Sequence, residues 1–271
     1  AKVMRSDSPE GIYGAKEQFV YPDVTVTFDA VPQYLRVYTH VGGGNKMNTY
    51  SSVLERNHHF DLEFGRGLWP LMDFDVERVS AVLGFKGRVG KFSYDLHGGY
   101  ANYANAILDA VVIGSPFGHE AEYLPGFGYA SYQKAFAGFD WNWNTESLKF
   151  DGTLEYAHIF GIKESSGLFA PAAFTGDVAF EYNWSRRIYA GIDCLFSTRR
   201  KGSVTDMLHD NAVHDAVIPG YADLGLYFEY ATNHILSLWA RGGNLLNMTV
   251  QRTPIYAERG VNFTVGVCLN L

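Results

Sequence analysis

Long runs in which apolar and polar residues alternate dominate this sequence of 271 residues. Alternation with a period of two is typical of β-strands that turn one face to an apolar medium and the other to water. In the last run every second residue is apolar: Val261, Phe263, Val265, Val267, Leu269 and Leu271. A tilted strand needs about ten residues to cross a bilayer, whereas globular strands average about five or six. The length of these runs therefore predicts strands that cross a membrane.

Eleven such strands are predicted, and the connections between them alternate in length. The strands are 18–29, 33–42, 77–89, 91–104, 127–143, 147–160, 172–184, 187–198, 218–231, 234–244 and 260–271. Short turns are predicted at 30–32, 90, 144–146, 185–186 and 232–233, and long loops at 43–76, 105–126, 161–171, 199–217 and 245–259. Outer-membrane barrels sort their connections in this way, with short turns on the periplasmic side. We therefore predict an all-β fold, an antiparallel up-and-down transmembrane β-barrel.

Aromatic residues on the apolar faces gather near the short turns. The chain contains 18 Tyr, 19 Phe and 5 Trp. Those within a few residues of a short turn include Phe92, Trp141, Trp143, Tyr182, Trp184, Phe228 and Tyr230. Such rings favour the headgroup level of a membrane, so the group indicates an aromatic girdle. The alternative is the core of a soluble β-sandwich, in which aromatic residues would be spread along the strands.

The order of turns and loops also predicts which end of the sheet is periplasmic and which is extracellular. The last strand follows a long loop and ends on the periplasmic side, which places residues 1–17 at the extracellular end. Complete bacterial barrels have an even number of strands and both termini in the periplasm. We therefore interpret residues 1–271 as one barrel region without a plug domain, the C-terminal part of a larger barrel. The alternative is a barrel of about twelve strands, with one strand missed in 1–17 or 43–76.

Composition excludes other classes of protein. The net charge of −7 and the pI near 5.7 argue against nucleic acid as a partner, since phosphate binding needs basic patches. No run of about 18 apolar residues predicts a transmembrane helix, and residues 1–14 lack the apolar stretch of a signal peptide. By the alternation Cys194 belongs to an apolar face and Cys268 to a polar face, so we expect no disulfide between them.

The polar faces of the predicted strands carry charges of both signs. Mixed signs favour ion pairs between neighbouring strands or with a plug, rather than a selectivity ring of one sign. The residues are Asp23, Asp29, Arg36, Lys86, Arg88, Asp95, Lys134, Asp140, Lys149, Asp151, Glu155, Asp177, Glu181, Asp193, Asp223, Glu229 and Arg241.

Candidate metal ligands occur in two long loops. His209-Asp210 and His214-Asp215 lie in loop 199–217, and His58-His59 with Asp61 lies in loop 43–76. Imidazole and carboxylate groups bind transition metals, but neither spacing is that of a zinc helix motif. Polar outer loops collect such residues, so the predominant interpretation is a solvated surface, and we predict neither a metal nor a cofactor.

An enzyme at the barrel rim is a further alternative. Ser93, Asp95, His97 and His40 fall on polar faces, where an acid–base pair would need to assemble. No Gly-x-Ser-x-Gly motif occurs, and polar residues are expected on a lumen face without any catalytic role. We therefore predict no enzymatic activity.

Two short motifs have structural as well as functional interpretations. Gly42-Gly43-Gly44 ends a predicted strand and has neither the Lys-Ser of a phosphate-binding loop nor a following helix, so it indicates loop flexibility. Arg199-Arg200-Lys201 is a basic run at the start of a long loop. It is predicted either to contact lipopolysaccharide phosphates or, more simply, to form a solvated loop edge.

The end of the chain resembles a known family. Asn244-Leu245-Leu246-Asn247 follows a predicted strand, and Tyr256, Arg259-Gly260 and the final strand come after it. This order is similar to the ending of TonB-dependent outer-membrane receptors, in which an Asn-Leu-x-Asn element leads through a Tyr-containing loop to Gly-Arg and the last strand. Here the order is Arg-Gly, and the last residue is Leu271 rather than an aromatic residue.

The resemblance implies a transport barrel in the outer membrane of a Gram-negative bacterium. Such a receptor would capture a small nutrient ligand on its outer loops and import it with energy transmitted by TonB. Its other partners would be outer-membrane lipids and lipopolysaccharide. Neither a plug nor a TonB box is recognisable in the sequence, and no ligand-binding residue is predicted. The alternative function is a small self-contained porin or structural barrel.

Overall fold

The computed structural model describes residues 2–6, 17–60, 72–115, 120–162, 167–233 and 235–269. Within these ranges no helix is long and apolar enough to span a membrane. The helix α1 spans Tyr50–Arg56. The strands are β1 (Lys2–Ser6), β2 (Glu17–Tyr21), β3 (Val24–Val31), β4 (Leu35–Met47), β5 (Phe74–Val89), β6 (Phe92–Gly114), β7 (Glu122–Asn144), β8 (Leu148–Phe160), β9 (Phe174–Trp184), β10 (Ile188–Ser197), β11 (Arg200–Asp206), β12 (Ala212–Ile218), β13 (Tyr221–Ala231), β14 (Leu236–Gly243) and β15 (Asn262–Leu269).

Eleven of these strands form one antiparallel meander. Its order is β3-β4-β5-β6-β7-β8-β9-β10-β13-β14-β15, so each strand pairs with the one before it and the one after it. The hairpin β11–β12 leaves this path between β10 and β13. The sheet is open, with β3 and β15 at its two edges. This topology confirms the predicted all-β, up-and-down order of eleven strands.

The predicted first strand, 18–29, is two strands in the structure. β2 ends at Tyr21 and β3 begins at Val24, because Pro22 has no backbone N–H with which to continue a ladder. β2 pairs with β1 in a separate two-stranded sheet. A strand therefore exists in the segment 1–17, but it does not add to the meander.

Two predicted loops contain strands, and the prediction was wrong there. β6 continues to Gly114 and β7 begins at Glu122, so most of the predicted loop 105–126 is a hairpin extension. The predicted loop 199–217 contains the hairpin β11–β12. Residues Ala106–Val112 are all buried, and a strand that is covered on both faces loses the alternation by which strands are recognised.

The glycine run Gly42-Gly43-Gly44 lies inside β4 and not in a flexible loop. The register between β4 and β5 shifts between Gly42 and Gly44, which marks a β-bulge. A Cβ on Gly43 would lie 2.9 Å from the carbonyl oxygen of Arg78. These glycines therefore allow two backbones to approach closely at the bulge.

One face of the meander is apolar and uncovered. Large apolar side chains project from it along its whole width, and Phe263 and Val265 in β15 remain 74% and 77% exposed. Other exposed members of this outer face are Val24, Val26, Phe28, Leu83, Phe85, Leu96, Trp143, Phe180, Trp184, Ile192, Leu226, Phe228, Tyr230 and Leu238. A soluble monomer rarely leaves so wide an apolar surface open to water. The outer face therefore has the character of a lipid-facing surface.

The opposite, inner face carries the predicted charges, and several of them pair between adjacent strands. Three ion pairs join a carboxylate to a basic group on the adjacent strand at N–O distances of 2.5–3.3 Å: Asp29–Arg36, Glu155–Lys134 and Glu181–Lys149. A fourth joins Asp193 on β10 to Arg241 on β14, across the intervening β13, at 3.5 Å. The prediction that mixed signs serve cross-strand pairing is confirmed for these residues.

The two cysteines lie on opposite faces of the sheet. Cys194 stands opposite Val178 and Leu224, which belong to the outer face. Cys268 stands opposite Ser237, on the inner face. No disulfide joins them, as the alternation predicts.

The difference between the two faces gives a first test. We expect Val265→Lys, on the outer face, to destabilise the protein in phospholipid vesicles by about 2–4 kcal/mol if the residue lies near the bilayer midplane. Thr264→Lys, on the inner face of the same strand, is the matched control and is expected to change the free energy of unfolding little. Urea titrations of the vesicle-inserted protein measure both values. Equal destabilisation by the two substitutions would contradict the assignment of the faces.

Candidate functional site

The best-packed part of the protein lies at the long-loop end of the sheet. We call this region the loop platform and define it as residues 50–60, 105–114, 168–170, 200–218 and 244–259. Much of the buried apolar side-chain surface of the described residues belongs to it or packs against it. Loops held by a rigid scaffold are where binding residues most often occur, so the platform is the candidate functional site.

The extension of β6 forms the centre of the platform. A register shift between Tyr103 and Ala106 introduces a bulge, and pairing of β6 with β5 ends at Asn105. Beyond that point the free edge of β6 is occupied by other segments. The N–H of Phe169 donates to the carbonyl oxygen of Asp109 over 2.8 Å, and β11 pairs in parallel with the end of β6.

Both faces of this extension are covered by apolar side chains. On one face Ile107 packs with Val53 of α1 and with Phe60, which follows α1. On the same face Val111 packs with Phe169 and Val204. On the opposite face a third cluster is formed by Leu108, Ala110 and Leu168. Burial of this kind stabilises a loop region in the same way as a small domain core.

A buried carboxylate lies between the first two clusters. Asp109, with a side chain only 7% exposed, accepts from Nε of Arg56 at 2.9 Å and from Nη2 of Arg200 at 2.5 Å. Arg200 also donates to the carbonyl oxygens of Ala170 and Arg252. The carboxylate therefore holds together α1, the extension of β6 and the start of β11.

The electrostatic environment keeps Asp109 ionised. Burial alone would raise its pKa, but the guanidinium groups of Arg56 and Arg200, by their charge and their hydrogen bonds, lower the pKa below the ordinary value. A buried ion pair is tolerable only when each charge is matched and hydrogen-bonded. Asp109 meets that condition with two partners.

This arrangement corrects one prediction. Arg200 belongs to the basic run Arg199-Arg200-Lys201, predicted as a lipopolysaccharide contact or a solvated loop edge, but its side chain is only 13% exposed and is held by Asp109. The sequence does contain a signal that was missed. Asp109 is the single charged residue in the apolar run Ala106–Ile113, and a lone acid in such a run requires a basic partner.

The last loop is organised by the first asparagine of the Asn-Leu-x-Asn element. Asn244 is buried, and its side-chain amide donates to the carbonyl oxygens of Met248 and Arg259 at 2.8 and 3.1 Å. Its Oδ1 accepts from the N–H of Met248, and its own N–H donates to Asp223. One side chain thus fixes both ends of the segment 244–259.

Contacts between distant loops complete the platform. The ring of His59 stacks on that of Tyr256, with centroids 3.7 Å apart and planes inclined by 15°. Arg252 pairs with Asp223 and with Glu258 at 3.1 and 2.8 Å. The first and last loops of the described chain are therefore in direct contact.

The histidines weighed as metal ligands contact other residues in the structure. His209 and His214 are paired with Asp206, at 2.9 and 4.0 Å, rather than with their neighbours Asp210 and Asp215. His59 is stacked on Tyr256, and Asp61 lies outside the described residues. In the part of the chain that the structure describes, no group of three or more His, Cys, Asp and Glu side chains is placed to hold a metal ion.

The polar residues considered for rim catalysis all contact residues of other strands on the inner face. The hydroxyl of Ser93 lies 3.4 Å from the carbonyl oxygen of Asn142. His97 lies 3.5 Å from Asp95 on its own strand and 3.8 Å from Asp140 on β7. Asp95 accepts from the Tyr38 hydroxyl on β4 at 2.8 Å, and His40 is hydrogen-bonded to Thr25 on β3. These contacts place each residue in a cross-strand interaction of the inner face.

Comparisons with solved structures identify the architecture. A variant of the ferric enterobactin receptor PfeA from Pseudomonas aeruginosa superimposes with a TM-score of 0.61 at 13% identity, over 93% of this chain and 40% of that one. The siderophore receptor PirA from Acinetobacter baumannii gives 0.61 at 12% identity, over 93% and 41%. The pyoverdine outer membrane receptor FpvA from P. aeruginosa gives 0.62 at 11% identity, over 95% and 36%.

The chain has the fold of part of the barrel of these receptors. This confirms the fold implied by the resemblance at the C-terminal end. The chain spans about two fifths of the length of these receptors. No protein-family profile and no curated protein matches the sequence.

The buried carboxylate gives a second test. Asp109→Asn removes the charge while keeping the shape, so it leaves Arg56 and Arg200 without a counter-charge, at an expected cost of about 3–5 kcal/mol to the platform. Hydrogen exchange of the Phe169 amide reports the change. Asp210→Asn in the exposed β11–β12 turn is the control and is expected to leave that exchange unaltered.

Asp109→Asn also tests how the stability of the platform depends on pH. Since the folded pKa of Asp109 lies below the ordinary carboxyl value of 3.8, its stabilisation is complete above that value and is lost as the pH falls through the lowered pKa. We expect the platform of Asp109→Asn to lack this acid-dependent loss. An identical pH profile for Asp109→Asn and the unaltered protein would contradict the assignment.

Asn244 gives a third test. Asn244 and Asn247 both adopt left-handed backbone angles, with φ of 48° and 50°, but only Asn244 is buried. Asn244→Ala and Asn247→Ala therefore carry similar backbone strain and differ in lost hydrogen bonds. We expect Asn244→Ala to open segment 244–259 to protease with an additional cost of about 1–3 kcal/mol. Equal cleavage of the two variants would show that the side-chain hydrogen bonds do not hold the loop.

Proposed function

We propose that this protein is an outer-membrane uptake barrel that works like the barrel of a TonB-dependent receptor. The observation that carries the proposal is the combination of an uncovered apolar outer face with a charged inner face on an eleven-strand meander. Solved receptors and transporters share this fold over more than nine tenths of the chain. A lipid-facing sheet of this kind belongs in the outer membrane of a Gram-negative bacterium.

The loop platform favours a receptor over a porin or a structural barrel. A pore for general diffusion needs an open mouth, whereas here the outer segments are locked together by the ion cluster of Asp109 and by the stacking of His59 on Tyr256. Rigid loops lower the entropic cost of binding a ligand. The platform is therefore the surface on which we place ligand capture.

The proposed ligand is a small metal chelate of the kind named for the structural neighbours. Those proteins are described as receptors for ferric enterobactin and pyoverdine, as an iron transporter and as a copper transporter. Import of such a scarce nutrient against its gradient would draw on TonB and the energised inner membrane. Residues 1–271 then act as barrel region, with the gating plug supplied by another segment.

Uptake measurements in the source bacterium test the proposal. A deletion of the gene is expected to lower accumulation of at least one member of a panel of 55Fe-loaded siderophores and copper. The gene in trans should restore uptake, a protonophore should abolish the restored uptake, and Asp109→Asn should reduce it in parallel with platform stability. Restored uptake that persists in the presence of the protonophore would instead indicate a passive porin.

A further inference from the structure

A groove runs along β14 on the outer face. Its floor is formed by the small residues Ala240 and Gly242, whereas the same strand carries Leu238 nearer the short turn. Large side chains on the flanking strands form the two walls. These are Leu226 and Phe228 on β13 and Phe263 and Val265 on β15. The groove has a volume of about 380 Å³ and its lining is almost entirely apolar.

The strand register shows that the groove is built from matched positions. Ala240 stands between Phe228 and Val265, and Gly242 stands between Leu226 and Phe263. A Cβ on Gly242 would lie 3.0 Å from Phe263 and 3.1 Å from Leu245. Leu245 therefore closes the end of the groove that is nearest the loop platform.

The dimensions of the groove limit what can occupy it. Its walls stand on strands two positions apart, so their backbones are separated by about 10 Å and the side chains narrow the opening further. An α-helix with its side chains has a diameter of about 10–12 Å and does not fit. An occupant with polar groups would lose its hydrogen bonds against the apolar lining. A single hydrocarbon chain meets both conditions.

We propose that this groove holds an acyl chain of a bilayer lipid in a fixed position against β14. The proposal rests on the proposed membrane location, since a lipid reaches this face only within a bilayer. Within hydrocarbon, an acyl chain would favour the groove through close packing rather than through the hydrophobic effect. An unfilled groove lacks van der Waals contacts along both walls. Phe180, by contrast, projects from the same face outside the groove and is 39% exposed.

Photo-crosslinking tests the proposal on the full-length protein. The protein is reconstituted into vesicles of phosphatidylethanolamine and phosphatidylglycerol that contain a phosphatidylethanolamine with a diazirine in its acyl chain. After illumination, mass spectrometry locates the adducts. We expect adducts at Leu226, Phe228 and Phe263 to exceed those at Phe180, which is on the same face outside the groove.

A large side chain placed in the groove should remove the excess of adducts at its walls. Ala240→Phe is expected to lower the adducts at the groove walls by about threefold or more, because the ring occupies the space where the chain makes its close contacts. Ala81→Phe, on the outer face of β5, is the matched control and should leave them unchanged. Val265→Ala, which lowers one wall and is a milder change, should reduce the adducts at Leu226 and keeps the test valid if Ala240→Phe does not fold.

The outcomes separate the two proposals. Adducts spread evenly over the outer face, or unaffected by both groove variants, would overturn the lipid groove and leave the membrane barrel intact. No adducts anywhere on the outer face would overturn the membrane location as well as the groove.

Discussion

Within a bilayer the backbone has no water to bind, so every N–H and C=O must find a partner in the protein. The rest of the structure depends on this constraint. It explains why the strands of the meander are long, why they pair in sequence order and why their turns at one end are short. The same constraint separates the side chains between the two faces. The backbone groups of each strand are bound to the neighbouring strands, so the outer face offers only apolar side chains to lipid. The inner face keeps its charges in cross-strand pairs.

A different kind of force organises the long-loop end of the sheet. There the backbone is not required to form a sheet, and the loops are held by local packing around a buried charge. Asp109 joins Arg56 and Arg200 between two apolar clusters, and a third cluster covers the opposite face of β6. Buried charges of this kind add little net stability compared with apolar packing, but they are demanding about geometry. The platform therefore has one preferred arrangement, in agreement with the ligand capture that we propose for it.

The sequence predicted the parts of the fold that lipid dictates. The alternation located all eleven strands of the meander and assigned Cys194 and Cys268 to opposite faces. The alternation failed to predict strands whose faces are covered by other parts of the protein rather than by lipid or water. These are the extension of β6, which is buried on both faces, and the hairpin β11–β12. The lone Asp109 in an apolar run indicates a basic partner, but the sequence does not identify Arg200 as that partner, since it lies 91 residues away and no local pattern connects the two.

The sequence distances within the ion cluster impose an order of events on folding. Asp109 lies 53 residues from Arg56 and 91 from Arg200, and the strands β7 to β10 lie between Asp109 and Arg200 in the chain. Closing loops of this size early would cost more chain entropy than a few contacts return. We therefore expect the hairpins of the sheet to assemble first and the charges to meet only when their strands are already side by side. At the cell surface a closed platform would be a sign that the sheet beneath it is complete, and a barrel stalled during insertion would display its loops open to proteases.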